Sequence, residues 1–168
     1  DFLCIHWPLP RGMKEEEDFL DVLTARKKLS AIEVHQPLVI AEEPFVKTYL
    51  WGFIHKKVTV KDYLTENFLS SAEKVQTILN QLHFSSDAKV SDLSLTHRVL
   101  LSIEGCFVVS HGIIFTTAGL DPRGKDKIYA VIAQKLQSGG GAIHFSYPTV
   151  PLRDCYVLGK CVECMVSE

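Results

Sequence analysis

The stretch Gly112-Ile113-Ile114-Phe115-Thr116-Thr117-Ala118-Gly119-Leu120-Asp121-Pro122-Arg123-Gly124 constrains this chain more than any other. An apolar strand, Gly112 to Phe115, runs into a turn containing Gly119. Asp121-Pro122 then opens a helix that carries Ile128, Val131, Ile132 and Leu136. Those four recur at spacings of three and four, which places them on one helical face. Pro122 suits a first helical position, where its missing N–H costs nothing, and Asp121 before it suits a cap. A strand delivered through a tight turn into an amphipathic helix argues for a layered α/β domain.

The rest of the chain repeats that alternation. Phe2–His6 reads as a short strand followed by a Pro-rich turn, residues 7–12. The acidic run Glu15-Glu16-Glu17-Asp18 opens a helix with Phe19, Leu20, Val22 and Leu23 on its buried side, since carboxylates in a first turn are favoured by the helix dipole. Pro37 and Pro44 punctuate an irregular middle, and Lys47–Ile54 alternates as a strand. Val75, Ile78, Leu79 and Leu82 form one stripe, predicting a helix over Ala72–Phe84. A further helix starts near Ser94 and carries Val99, Leu100, Ile103 and Phe107. After the glycine loop 138–141 comes a strand at Ala142–Ser146, and Val157-Leu158 with Val162–Val166 predict a closing hairpin or edge strands.

Size and charge set outer limits. A chain of 168 residues is one domain by length, able to bury roughly two thirds of its unfolded surface. The net charge of -2 gives no electrostatic reason to expect nucleic acid or an anionic membrane as partner. No apolar run approaches the ~20 residues that span a bilayer. The five cysteines, Cys4, Cys106, Cys155, Cys161 and Cys164, are odd in number and scattered, which suits a reducing compartment better than a disulfide framework. Cys161 and Cys164 have the spacing of half a zinc site, with Cys155 nearby, but a structural zinc needs four ligands and no second short-spaced pair exists. The same residues read more simply as a terminal strand.

Taken in order, these segments resemble the nucleotide-binding domain of ATP-binding cassette (ABC) proteins over nearly the whole chain. Thr117-Ala118-Gly119-Leu120-Asp121 carries the resemblance most specifically. It implies a P-loop NTPase-like layered sheet with helices on both faces, a small helical subdomain at about residues 61–110, and a single domain 1–168 truncated at its N-terminus. The compact length, and the spacing of Tyr49–His55 to Val58-Thr59-Val60, are similar to the cytochrome c maturation (haem-export) ATPase branch.

By that resemblance each chemical motif is degenerate. Phe2–Leu23 matches the first strand, phosphate loop and following helix. Such a loop needs glycines for close backbone approach, a Lys for the phosphates and a Ser or Thr for magnesium. Gly12 is its one glycine, and Glu16 and Glu17 take the Lys and Ser/Thr positions, with Lys14 two residues away. Paired carboxylates would repel a triphosphate by roughly 4 kcal/mol per pair of charges ~4 Å apart at intermediate dielectric. Ser94-Leu95-Thr96-His97-Arg98 sits where the family signature opens a helix; Ser94 and Arg98 match, while Leu95, Thr96 and His97 replace two glycines and a Gln. Ser94 then reads as a plain cap.

Ile114 and Phe115 stand where the magnesium-binding Asp and the water-activating Glu would be, and Tyr147 stands in place of the switch His. Tyr is not readily ionised near pH 7. His144 reads as structural. Asp121 matches the turn residue that faces a partner domain, with helix capping an equal alternative.

The expectation is therefore a catalytically inactive, ABC-like subunit with a structural or scaffolding role and no cofactor. Its partners would be other protein subunits in a hetero-oligomeric assembly that can be membrane-associated, docked near Ser94 and Asp121. Two alternatives stand beside it. One is a non-hydrolysing nucleotide-binding subunit paired with an active transporter ATPase, in which Lys14, Ser94 and Asp121 matter. The other is a zinc-stabilised module built on Cys155, Cys161 and Cys164.

Overall fold

A computed structural model of the chain describes residues 2–6, 13–28, 34–44, 58–68, 71–146 and 160–163. The chain divides into two compact units: residues 1–41 with 110–168, and residues 42–109.

Among the described residues the first unit holds a five-stranded parallel sheet. Its strands are β1 (Phe2–His6), β2 (Val39–Ala41), β3 (Gly112–Phe115), β4 (Gly141–Ser146) and β5 (Lys160–Glu163), in spatial order β2-β3-β4-β1-β5. Every residue of β3 is buried, as a parallel strand covered on both faces requires. Register assigns each face its residues. Ile114 pairs with Ile143 and Ile143 with Leu3, while Ile5 pairs with Phe145. These residues pack with Phe19, Leu20 and Leu23 of α1 (Met13–Leu23) in one apolar cluster. The other face carries Phe115, His144 and Cys4 in one row of register partners. Over it lies Tyr129 of α5 (Pro122–Gln137), with its ring edge-on to Phe115 and to His144. Helices thus cover both faces of the sheet.

The ends of α5 follow from local chemistry. Asp121 accepts from the Gly124 N–H at 2.6 Å, and Pro122 occupies the first turn, where the absent N–H is no loss. At the other end Gly139 has φ +90, a left-handed conformation that stops the helix, and the Gly140 N–H reaches back to the Lys135 carbonyl at 2.9 Å.

The described residues of the second unit are mainly helical: α2 (Val60–Phe68), α3 (Ala72–Leu82), a short 3-10 turn (Val90–Asp92) and α4 (Leu95–Val109). Its core gathers Val60, Leu64 and Phe68 with Val75, Ile78 and Leu79 and with Val99, Leu100, Leu101 and Ile103. Leu82 of the predicted stripe is half-buried. The α3 helix is capped by Ser71, which accepts from the Lys74 N–H, and ends at His83 in the left-handed region. Gly105 lets α2 and α4 approach closely, because a Cβ there would overlap the Phe68 ring.

Two expectations need correction. The stretch between Pro37 and Pro44 is not wholly irregular: Val39–Ala41 forms β2, made a strand by pairing with β3 and too short to show a period of its own. The α1 helix begins at Met13, before the acidic run. Of the two forms expected for the C-terminal segment, a hairpin or edge strands, the described residues show an edge strand: β5 lies at one end of the sheet, parallel to β1. The strand predicted over 47–54 and the segments 147–159 and 164–168 lie outside the described residues, as do Gly12, His55, Tyr147, Cys155 and Cys164.

Candidate functional site

In an open parallel sheet, ligands are held beyond the carboxyl ends of the strands. One such strand end is that of β3, with the turn Thr116–Asp121 that carries the chain into α5. Ile114 and Phe115 are each 1% exposed. They point to opposite faces: Ile114 into the α1-side cluster, Phe115 against His144, ring centroids 4.9 Å apart, and against Tyr129. Neither offers an oxygen to a cation or a base to a water.

The polar group beside this strand end is His144. Fully buried on β4, it is hydrogen-bonded through Nε2 to Thr117 Oγ1 at 3.1 Å. Its Nδ1 stands 3.6 Å from Cys4 Sγ on β1. The three side chains come from one strand, the neighbouring strand and the turn, brought together by the register that aligns Cys4, His144 and Phe115. Burial pushes the His144 pKa down to about 4, with the Lys125 charge on α5 adding to the effect. The ring is therefore neutral at pH 7, with one donor and one acceptor nitrogen.

A Cys beside a His suggests nucleophilic chemistry, and here the geometry opposes it. Cys4 and His144 are both 0% exposed, so no substrate reaches the sulfur. A histidine that resists protonation to about pH 4 also makes a poor acceptor for a thiol proton. The cluster is a buried polar network with satisfied partners. Thr117 and Cys4 were missed from the sequence because a Thr in a turn and a Cys in a strand carry no periodic signal; only β-sheet register joins them.

The remaining expected positions fall as follows. Lys14 is exposed in the first turn of α1, Glu16 is half-buried and Glu17 exposed one turn on. Asp121 is engaged as the cap of α5. In the second unit, taken by itself, Ser94 caps α4: its Oγ accepts the His97 N–H at 3.3 Å and is hydrogen-bonded to His97 Nδ1 at 3.0 Å. Leu95, Thr96 and His97 are half-buried in the first turn, with His97 edge-on to Phe84. Arg98 pairs with Glu43 at 2.8 Å. Deeper in α4, burial pushes the Cys106 thiol up to about 11, with a hydrogen bond from Ser102 opposing, so this thiol stays protonated and inert. Among the described residues there is no group of three or more His, Cys, Asp or Glu placed to hold a metal ion, and no helix long and apolar enough to cross a membrane.

No protein-family model and no curated protein matches the sequence. Solved structures do match the fold. An ABC transporter of metal-chelate type in an inward-facing conformation aligns with a TM-score of 0.73 at 18% identity, covering 97% of this chain and 68% of that one. A nucleotide-free ATP-binding cassette from an ABC transporter aligns with a TM-score of 0.67 at 16% identity, covering 96% and 75%. A dimeric, post-hydrolysis cassette bound to ADP and Pi aligns with a TM-score of 0.63 at 13% identity, covering 97% and 80%. A parallel sheet in the order β2-β3-β4-β1-β5, helices on both faces and a helical unit inserted between β2 and β3 give this chain the fold of an ABC-type nucleotide-binding domain.

Proposed function

We propose that the chain is a catalytically inactive domain of ATP-binding cassette fold that serves as a structural subunit of a larger protein assembly. The observation that carries this reading is the end of β3, where Ile114 and Phe115 are both hydrocarbon and both buried. Hydrolysis of a magnesium nucleotide at this place would need oxygen ligands for a hard cation and a base within hydrogen-bond reach of water. Neither side chain supplies one, so the residues present do not fit that group. Glu16 and Glu17 on α1 add negative charge where the resemblance expects a cation and a hydroxyl.

A fold that keeps its shape without this chemistry is useful as a surface. The capped starts of α4 and α5, at Ser94 and Asp121, are the faces on which other protein subunits would dock. A mitochondrial setting enters through the haem-export resemblance alone. Equilibrium dialysis of the whole chain with magnesium ATP, run beside a phosphate-release assay, tests the reading. No saturable binding and no release above buffer are expected; micromolar saturable binding with turnover overturns it.

One observation favours a second reading. Lys14 is exposed at the start of α1, free of the core and near the end of β1 in the chain. A non-hydrolysing subunit that holds nucleotide beside an active transporter ATPase, in haem export or elsewhere, would use it. Binding without hydrolysis, abolished by Lys14→Ala, selects this reading over the first.

A further inference from the structure

We propose that Cys4, His144 and Thr117 form a latch on the β3–α5 turn, one that opens when the His144 ring takes up a second proton. The inference stands on the first unit alone and does not depend on the functional reading above.

Thr117 is where the turn is tied to the sheet. Thr116, Ala118, Gly119 and Asp121 are exposed, whereas Thr117 is buried, 1% exposed, with its hydroxyl on His144 Nε2. The internal bonds of the turn are local: Leu120 N–H to the Thr117 carbonyl at 3.2 Å, and Ala118 N–H to Thr116 Oγ1 at 3.2 Å. Neither joins the turn to β4, as the Thr117 side chain does.

The neutral ring suits its neighbours because a hydroxyl and a thiol each donate or accept, matching one donor and one acceptor nitrogen. A charged ring is a donor at both nitrogens, so Cys4 and Thr117 must both accept. Its charge then lies in a site without solvent. From β1 it meets Cys4, whose register partner on β5 is Cys161; from β3 the Phe115 ring; from α5 the Tyr129 ring and the Lys125 cation. Lys125 repels it. Burial and that cation together hold the ring neutral down to about pH 4. Strands and helix on three sides are core, and the fourth side is the turn, in which Thr117 and Leu120 are buried while Thr116, Ala118 and Gly119 face solvent. Release of Thr117 is the way for the charged ring to reach water without breaking the sheet.

The test is NMR of the whole chain between pH 7 and pH 4, following the His144 ring and the amides of Ala118, Gly119 and Leu120. The turn amides are expected to shift with the same midpoint as the ring, and Leu120 N–H exchange, corrected for its intrinsic pH dependence, to accelerate by about tenfold or more while Ile128 and Ile132 stay protected. In Thr117→Val the ring still titrates and the turn amides no longer follow it. In His144→Gln, which cannot charge, the turn amides stay flat across the range; should that variant fail to fold, Thr117→Val decides. Titration of the ring with a silent turn overturns the proposal. So does loss of the turn and α5 amides together, because the latch would then never open separately from the fold.

Discussion

Thr117 on the turn after β3 and His144 on β4 are 27 residues apart in sequence and hydrogen-bonded at 3.1 Å in a buried site. Their bond fastens the most recognisable stretch of the sequence to the middle of the sheet. Replacing Thr117 by Val keeps the volume and leaves a buried imidazole nitrogen without its partner. A loss of about 1–3 kcal/mol of unfolding free energy is expected, measured by urea denaturation at pH 7. Thr117→Ser should cost less, because the hydroxyl stays.

Stability should fall with acid over a defined window. The folded-state pKa of His144 lies at about 4, below the 6.5 of the free side chain. Between those values the unfolded chain binds the proton and the native one does not, so stability is present above pH 6.5 and is lost as pH falls toward 4. The full swing is about 3 kcal/mol, from the difference of the two pKa values. Urea midpoints at pH 7 and pH 4.5 measure it, and in His144→Asn the slope across this window should flatten.

Asp121 gives a cleaner local test. Its carboxylate accepts from the Gly124 N–H at the start of α5. Asp121→Ala should lower stability by about 1 kcal/mol, and Asp121→Asn by much less, as thermal unfolding would read. A drop well beyond that size would mean the turn itself has come apart.

Gly105 packs against Phe68 without room for a methyl group. The Phe68 ring is itself held edge-on by Tyr63, centroids 5.7 Å apart, so it cannot swing away freely. Gly105→Ala should destabilise by about 1–3 kcal/mol despite the better helix propensity of Ala, and Phe68→Leu in the same chain should recover part of it. Denaturant midpoints of the two single variants and the double variant close the cycle.

Carboxylates placed at the end of β3 should not create hydrolytic chemistry. Ile114 lies in an apolar cluster with Ile5 and Phe145, and Phe115 against two aromatic rings. An Asp or Glu there is buried without a built partner, which costs several kcal/mol or forces the acid to stay protonated. The double variant Ile114→Asp, Phe115→Glu is expected to unfold far below the parent temperature and to release no phosphate from magnesium ATP. Turnover in that variant would contradict the account of this strand end.

Local signals in the sequence determined the elements whose chemistry is local. Gly112–Phe115, the helix from Pro122 with its Asp121 cap, the stripe through Val75 and Leu79, and the Ser94 cap all follow from hydrophobic period, capping residues and turn composition. The hydrocarbon character of Ile114 and Phe115 at the end of β3 is likewise written in the sequence. Tertiary structure alone decided what depends on pairing. The three residues of β2 are a strand because β3 supplies its partners, and β5 is parallel because it lies beside β1 rather than folding back on a neighbour. His144 is a neutral core residue because sheet register sets it between Cys4 and Thr117 under the rings of Phe115 and Tyr129. Periodicity reports which face of an element is apolar; which side chains meet across strands is fixed by register, and no single segment contains that information.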